Sequence, residues 1–142
     1  MKKLIGIILG IILLICSFSL IPNSSIASDY NAPEILQNRI DYSLKVIWNL
    51  QGKYKSSNFN QLMLRMNPRD RQMYLSALRV YNKAKMEFST YIIKTLQYKY
   101  NTSNYNLLMS RMNPIDKRIF DSALQDYQKA KNAYNFLLQN KW

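Results

Sequence analysis

The chain of 142 residues has no histidine, one cysteine, three glycines and four prolines, and it sets only 8 acidic side chains against 20 basic ones. Each shortage excludes something. Without histidine there is no imidazole base, no Ser-His-Asp or Cys-His couple and no histidine-built metal site. Cys16 falls in an apolar leader, so the chain beyond it has no thiol for redox work, metal binding or a disulfide. Three glycines leave no phosphate-cradling loop. The carboxylates that follow the leader, Asp29, Glu34, Asp41, Asp70, Glu87, Asp116, Asp121 and Asp126, contain no pair with a general acid/base or glycosidase spacing. Composition thus predicts a protein that is not an enzyme and needs no cofactor and no metal. Scarce glycine and proline with 48% apolar residues describe an ordered helical chain, and the length suits one small domain.

What is present begins with the leader. Lys2 and Lys3 precede an uncharged run from Leu4 to Ile21, after which Pro22, Asn23 and Ser24 break the pattern and Ser25 and Ala27 place small residues around a cleavage point. This three-part layout predicts a secretory signal peptide over 1–27 and export to the periplasm or the exterior, leaving 28–142 as a single helical domain. The alternative is an uncleaved N-terminal anchor holding the protein at the membrane, since the run is just long enough to span one. Bulky Ile15 before Cys16 argues against a lipid-modified cysteine.

The remaining chain repeats itself. In a register of 46 residues, 18 of the 36 positions in 54–89 are identical to those in 100–135, among them Arg65-Met66-Asn67-Pro68 on Arg111-Met112-Asn113-Pro114 and Asp70 on Asp116. Upstream, Leu50-Gln51 and Lys53 fall on Leu96-Gln97 and Lys99. Ungapped identity at half the positions exceeds helical composition bias and predicts a tandem duplication, with units at about 44–89 and 90–135.

Asn67-Pro68 and Asn113-Pro114, each followed by an aspartate at N3, are helix starts. Apolar residues then recur every three or four positions from Tyr74 to Leu96 and from Phe120 to Leu138, and earlier from Leu36 to Tyr54. Segments 57–66 and 103–112 read as short helices opening on capping Ser57 and Ser103. The expected architecture is all-α: three long antiparallel helices with two short helices in the connections, the middle long helix shared by both units.

Several repeated residues are candidates for partner binding. Tyr81 and Tyr127 would form an aromatic groove or, lying on the apolar stripe, pack in the core with their hydroxyls at the rim. Met63, Met66, Met109 and Met112 would line an adaptable groove or dock the short helices on the long ones. Arg65 and Arg111 would grip an anionic group with their planar forks, or else tie to Asp70, Asp116 or helix C-terminal carbonyls. Lys83, Lys85, Lys129 and Lys131 make a basic face for an anionic polymer, or a solvated face with a snorkelling lysine. The partner expected is a protein or an anionic envelope component. Export and the absence of a recognised module speak against nucleic acid, and membrane contact would come through an uncleaved leader.

The run from Met66 to Arg71 with Tyr74, Ala77, Arg79, Tyr81 and Lys85 resembles the C-terminal signature of the LprI-like lysozyme-inhibitor family of small exported helical proteins. The family's Tyr-x-x-Leu-Met-x-x-Leu element is similar to Phe59 through Met66 and again to Tyr105 through Met112. The resemblance covers about 30 residues, twice, and implies an inhibitor acting by protein contacts. Tyr81 and Tyr127 stand at the family's Trp, Leu78 and Leu124 at its Gln, Ala84-Lys85 and Ala130-Lys131 at its aromatic-Arg pair, and its cysteines are missing. Animal lysozymes are themselves basic, so a chain of +10 after loss of Lys2 and Lys3 would approach one against long-range repulsion.

Overall fold

A computed structural model describes residues 32–140. The expected leader over 1–27, with Cys16 and the expected cleavage point, lies outside the described residues, as does Asp29. The chain is all-helical, with no strand among the described residues: α1 (Ala32–Lys53), α2 (Phe59–Arg65), α3 (Pro68–Lys99), α4 (Tyr105–Arg111) and α5 (Pro114–Gln139). None of these helices is long and apolar enough to cross a membrane.

The starts of α3 and α5 follow from their sequences. Asn67 and Asn113 sit in extended backbone and accept from the N–H groups of Asp70 and Asp116, both at 2.8 Å, with Pro68 and Pro114 at the first helical position. A cap of this kind is worth about 1 kcal/mol. The short helices correct the expected starts by one residue. Asn58 and Asn104, not Ser57 and Ser103, accept from the N–H groups of Gln61 and Leu107. A hydroxyl still takes part, because Ser56 Oγ and Thr102 Oγ1 accept from the N–H groups of those two caps.

At the ends of α1 and α3 the backbone turns through Lys55 and Asn101, each at φ 49°. The N–H of Ser56 reaches the carbonyl of Gln51, and the N–H of Thr102 that of Gln97, a closing pattern that normally places glycine in the left-handed position. Asn tolerates that position and Lys does so poorly, so Lys55 carries backbone strain.

The core is built around α3, on which both α1 and α5 pack. Ile47 and Leu50 of α1, Leu62, Met63 and Met66 around α2, Tyr74, Leu75 and Ala77 of α3, and Leu137 of α5 form the largest cluster. Leu96, Leu108, Met112 and Phe120 form a second, with Met109 packed against its edge. Leu36, Ile40 and Ala84 form a third. Thus the methionines of the short helices serve packing. Leu62 and Leu108, one on each short helix, are fully buried. A seven-residue helix has little stability of its own, so burying these leucines is what holds α2 and α4 in place.

Candidate binding surfaces

Two corners of the molecule carry the concentrated polar chemistry. The first joins α1 to α3 through α2, and the second joins α3 to α5 through α4.

In the first corner, the end of one long helix is tied to the start of the next. Asp70 accepts from Lys53 Nζ at 2.5 Å, from the Tyr54 hydroxyl at 2.7 Å and from Asn67 Nδ2 at 3.2 Å. The Tyr54 oxygen in turn accepts from the backbone N–H of Asn67 at 3.3 Å. The same bonds recur 46 residues later. Asp116 accepts from Lys99 at 2.7 Å, from the Tyr100 hydroxyl at 2.6 Å and from Asn113 Nδ2 at 3.2 Å, and the Tyr100 oxygen accepts from the Asn113 N–H. Each lysine also lies over the ring of the tyrosine beside it. Helix capping alone therefore does not account for the two aspartates. Each is also the hub of a clasp between long helices, and its cation is a lysine rather than Arg65 or Arg111.

The bonds leave their mark on proton affinities. Hydrogen bonds from Lys53 and Tyr54 hold the Asp70 carboxyl below the usual carboxylate range. Burial pushes Asp116 upward, but the combined donation of Lys99 and Tyr100 outweighs it and the net shift is downward. The bond to Asp70 raises Lys53, against burial and the nearby charge of Arg69. Burial, followed by the bond to Asp116, raises Tyr100.

The repeated residues singled out in the sequence are spread over several environments. Arg111 donates to the carbonyl of Tyr100 at 3.1 Å, a tie to a helix C-terminus, whereas Arg65 is exposed. Lys85 pairs with Asp126 at 2.7 Å across α3 and α5, so its charge is partly spent within the fold. Lys83 and Lys129 are exposed, and Lys131 lies over the ring of Tyr127 at 5.9 Å. Tyr81 packs against the clusters between α1 and α3, while Tyr127 is half-buried on α5, and no ring contact joins the two among the described residues. Among the described residues no acidic cluster is placed to hold a metal ion.

The surfaces of the two corners differ although their clasps match. Lys55, Arg65 and Arg69 are exposed at the first, and Asn101, Arg111 and Ile115 take their places at the second. Around α4 the second corner shows solvent Tyr105, Leu107 and Ile115, the last 67% exposed. At the first corner Phe59, the counterpart of Tyr105, is half-buried and meets the ring of Phe136 edge-on at 5.9 Å. The differences fall at 55/101, 59/105, 61/107 and 69/115, positions 46 apart whose residues are not identical.

Comparison of the chain with protein-family models, with curated proteins and with solved structures returns no match.

Proposed function

We propose that this protein is a small exported, non-enzymatic helical module that acts in the cell envelope or outside the cell by binding a protein partner. The observation that carries the reading is the exposed apolar group Tyr105, Leu107 and Ile115 around α4. Apolar side chains left exposed along one connection are what a protein contact surface offers, and the clasp and buried leucine beside them hold that corner in shape. Inhibition of a lysozyme is the specific form that the resemblance in the helical signature implies. Such an inhibitor would depend on short-range apolar contact, because the net charge opposes encounter with a basic enzyme.

In this reading the module is a tandem duplication whose three long helices run antiparallel. Recurrence of each clasp bond after 46 residues supports the duplication. Antiparallel packing is supported by contacts that run in opposite chain order, Arg39 with Glu87 and Gln51 with Tyr74, then Arg79 with Leu137 and Lys85 with Asp126.

A pull-down with the chain from Ser28, at low and at physiological salt, followed by a lysozyme-activity assay, tests the proposal. Retention of a protein partner at both salt concentrations, lost on replacing Leu107 and Ile115 by Asn, is the expected result. Retention that is unchanged by those substitutions would sink the role given to the second corner.

The first corner favours a second reading, in which the chain binds anionic envelope polymers or a membrane surface through exposed Lys55, Arg65 and Arg69. Affinity that falls steeply with salt is its signature.

A further inference from the structure

Leu64 is 84% exposed, more than any other large hydrophobic side chain among the described residues. Helix α2 turns Leu62 and Met63 into the core and leaves Asn60, Gln61, Leu64 and Arg65 outside. A lone exposed leucine is ordinary on a protein surface. This one is next to a cation in a basic stretch. Arg65 follows it on α2, Lys55 before that helix and Arg69 after it are exposed as well, and Asp70, the one acid in the sequence from 53 to 71, is engaged by Lys53, Tyr54 and Asn67. Arg69 lies close enough to Lys53 to oppose its charge, so positive charge is concentrated over 53–71, where five cations stand against Asp70.

We propose that the first corner docks on an anionic lipid surface, with Leu64 entering the headgroup boundary and Lys55, Arg65 and Arg69 meeting lipid phosphates. The proposal rests on the second reading above and narrows it from polyanions in general to a bilayer. A soluble polyanion satisfies the three cations but has no apolar phase for Leu64, whereas a lipid surface satisfies both. At the second corner the position of Leu64 is Ser110 and two of the three cations are absent, so docking is one-ended. Three cations and one leucine give reversible attachment, well short of permanent anchoring.

The test uses the chain from Ser28, which contains every core residue, since these run from Leu36 to Leu137. Binding is measured by sedimentation with vesicles containing phosphatidylglycerol, with vesicles of phosphatidylcholine alone, and by titration with polyphosphate. Attachment to the anionic vesicles only is expected. Leu64→Asn should weaken it about tenfold while leaving polyphosphate binding unchanged, and replacing Lys55, Arg65 and Arg69 by Gln should weaken it about 100-fold, roughly fivefold for each charge. All four side chains are exposed, so unchanged melting temperatures confirm that the variants remain folded.

Vesicle attachment indifferent to Leu64→Asn overturns the lipid proposal and leaves the polyanion reading standing. Binding of polyphosphate without any vesicle attachment does the same. Absence of binding to vesicles and polyphosphate alike overturns both.

Discussion

The hydroxyl of Tyr100 donates to Oδ2 of Asp116 at 2.6 Å, joining the last turn of α3 to the first turn of α5. Asp116 is buried and receives Lys99 and Asn113 as well. Removing the carboxylate would leave three donors without their acceptor. Asp116→Ala is therefore expected to cost roughly 2 kcal/mol, a fall of about 10 °C in the melting temperature of a domain this size. Tyr100→Phe should cost less, about 1 kcal/mol, because Lys99 and Asn113 still reach the acid. Thermal denaturation of the two variants, read by circular dichroism, checks the order.

Stability should vary with pH in two windows and be level between them. Asp70 and Asp116 have depressed values in the folded state, so their contribution is present above the ordinary carboxylate value, about 4, and is lost as pH falls through the folded values. Lys53 and Tyr100 have raised values, so theirs is complete below the ordinary values, about 10, and is lost as pH rises through the folded ones. With no histidine in the chain, nothing among its side chains titrates at ordinary values from about pH 5 to 8. A series of melts from pH 2 to about 11 should give a plateau with two falling edges. A step near pH 6.5 would contradict it.

Leu62→Ala and Leu108→Ala each remove a fully buried side chain from beneath a short helix. Each is expected to cost about 3 kcal/mol. Protease cleavage near the affected corner should rise in step, because neither α2 nor α4 persists without its docking residue. Leu64→Ala, two residues on from Leu62 and on the outer face of α2, should leave the melting temperature within about 3 °C, since exposed substitutions of this kind stay within about 0.5 kcal/mol.

Lys55→Gly should stabilise the fold. The left-handed backbone at Lys55 suits glycine, and the gain, reduced by the extra freedom glycine has in the unfolded chain, should be about 0.5–1 kcal/mol. Asn101→Gly, at the equivalent position, should gain less, because Asn enters that conformation more readily. Urea denaturation midpoints of the two variants, compared at equal slope, decide the point.

The helix starts at Asn67-Pro68 and Asn113-Pro114 were legible because cap, proline and N3 acid are local signals within four residues. The short helices were legible as elements but not to the residue. Ser57 and Asn58 are both good caps, and only the backbone decides which oxygen meets the free N–H groups. The clasps escaped a local reading because Lys53 and Tyr54 lie 17 and 16 residues from Asp70. A signal for them was present all the same: Lys53, Tyr54, Asn67 and Asp70 all recur unchanged at Lys99, Tyr100, Asn113 and Asp116. Four polar residues that recur together at a spacing of 46, while Lys55, Arg69 and Val80 do not, have a common bonding reason. The exposure of Leu64 was illegible, since Leu62, Met63 and Leu64 form one apolar run and the turn of a short helix decides which of them faces out.

Helix α3 starts with the acceptor of one clasp and ends with the donors of the other. In that respect it has the same two ends as any unit placed before or after it. Under the proposed duplication, growth would come in steps of 46 residues: an added segment of that length after Lys99 would bring one more corner and one more long helix, with every clasp still matched.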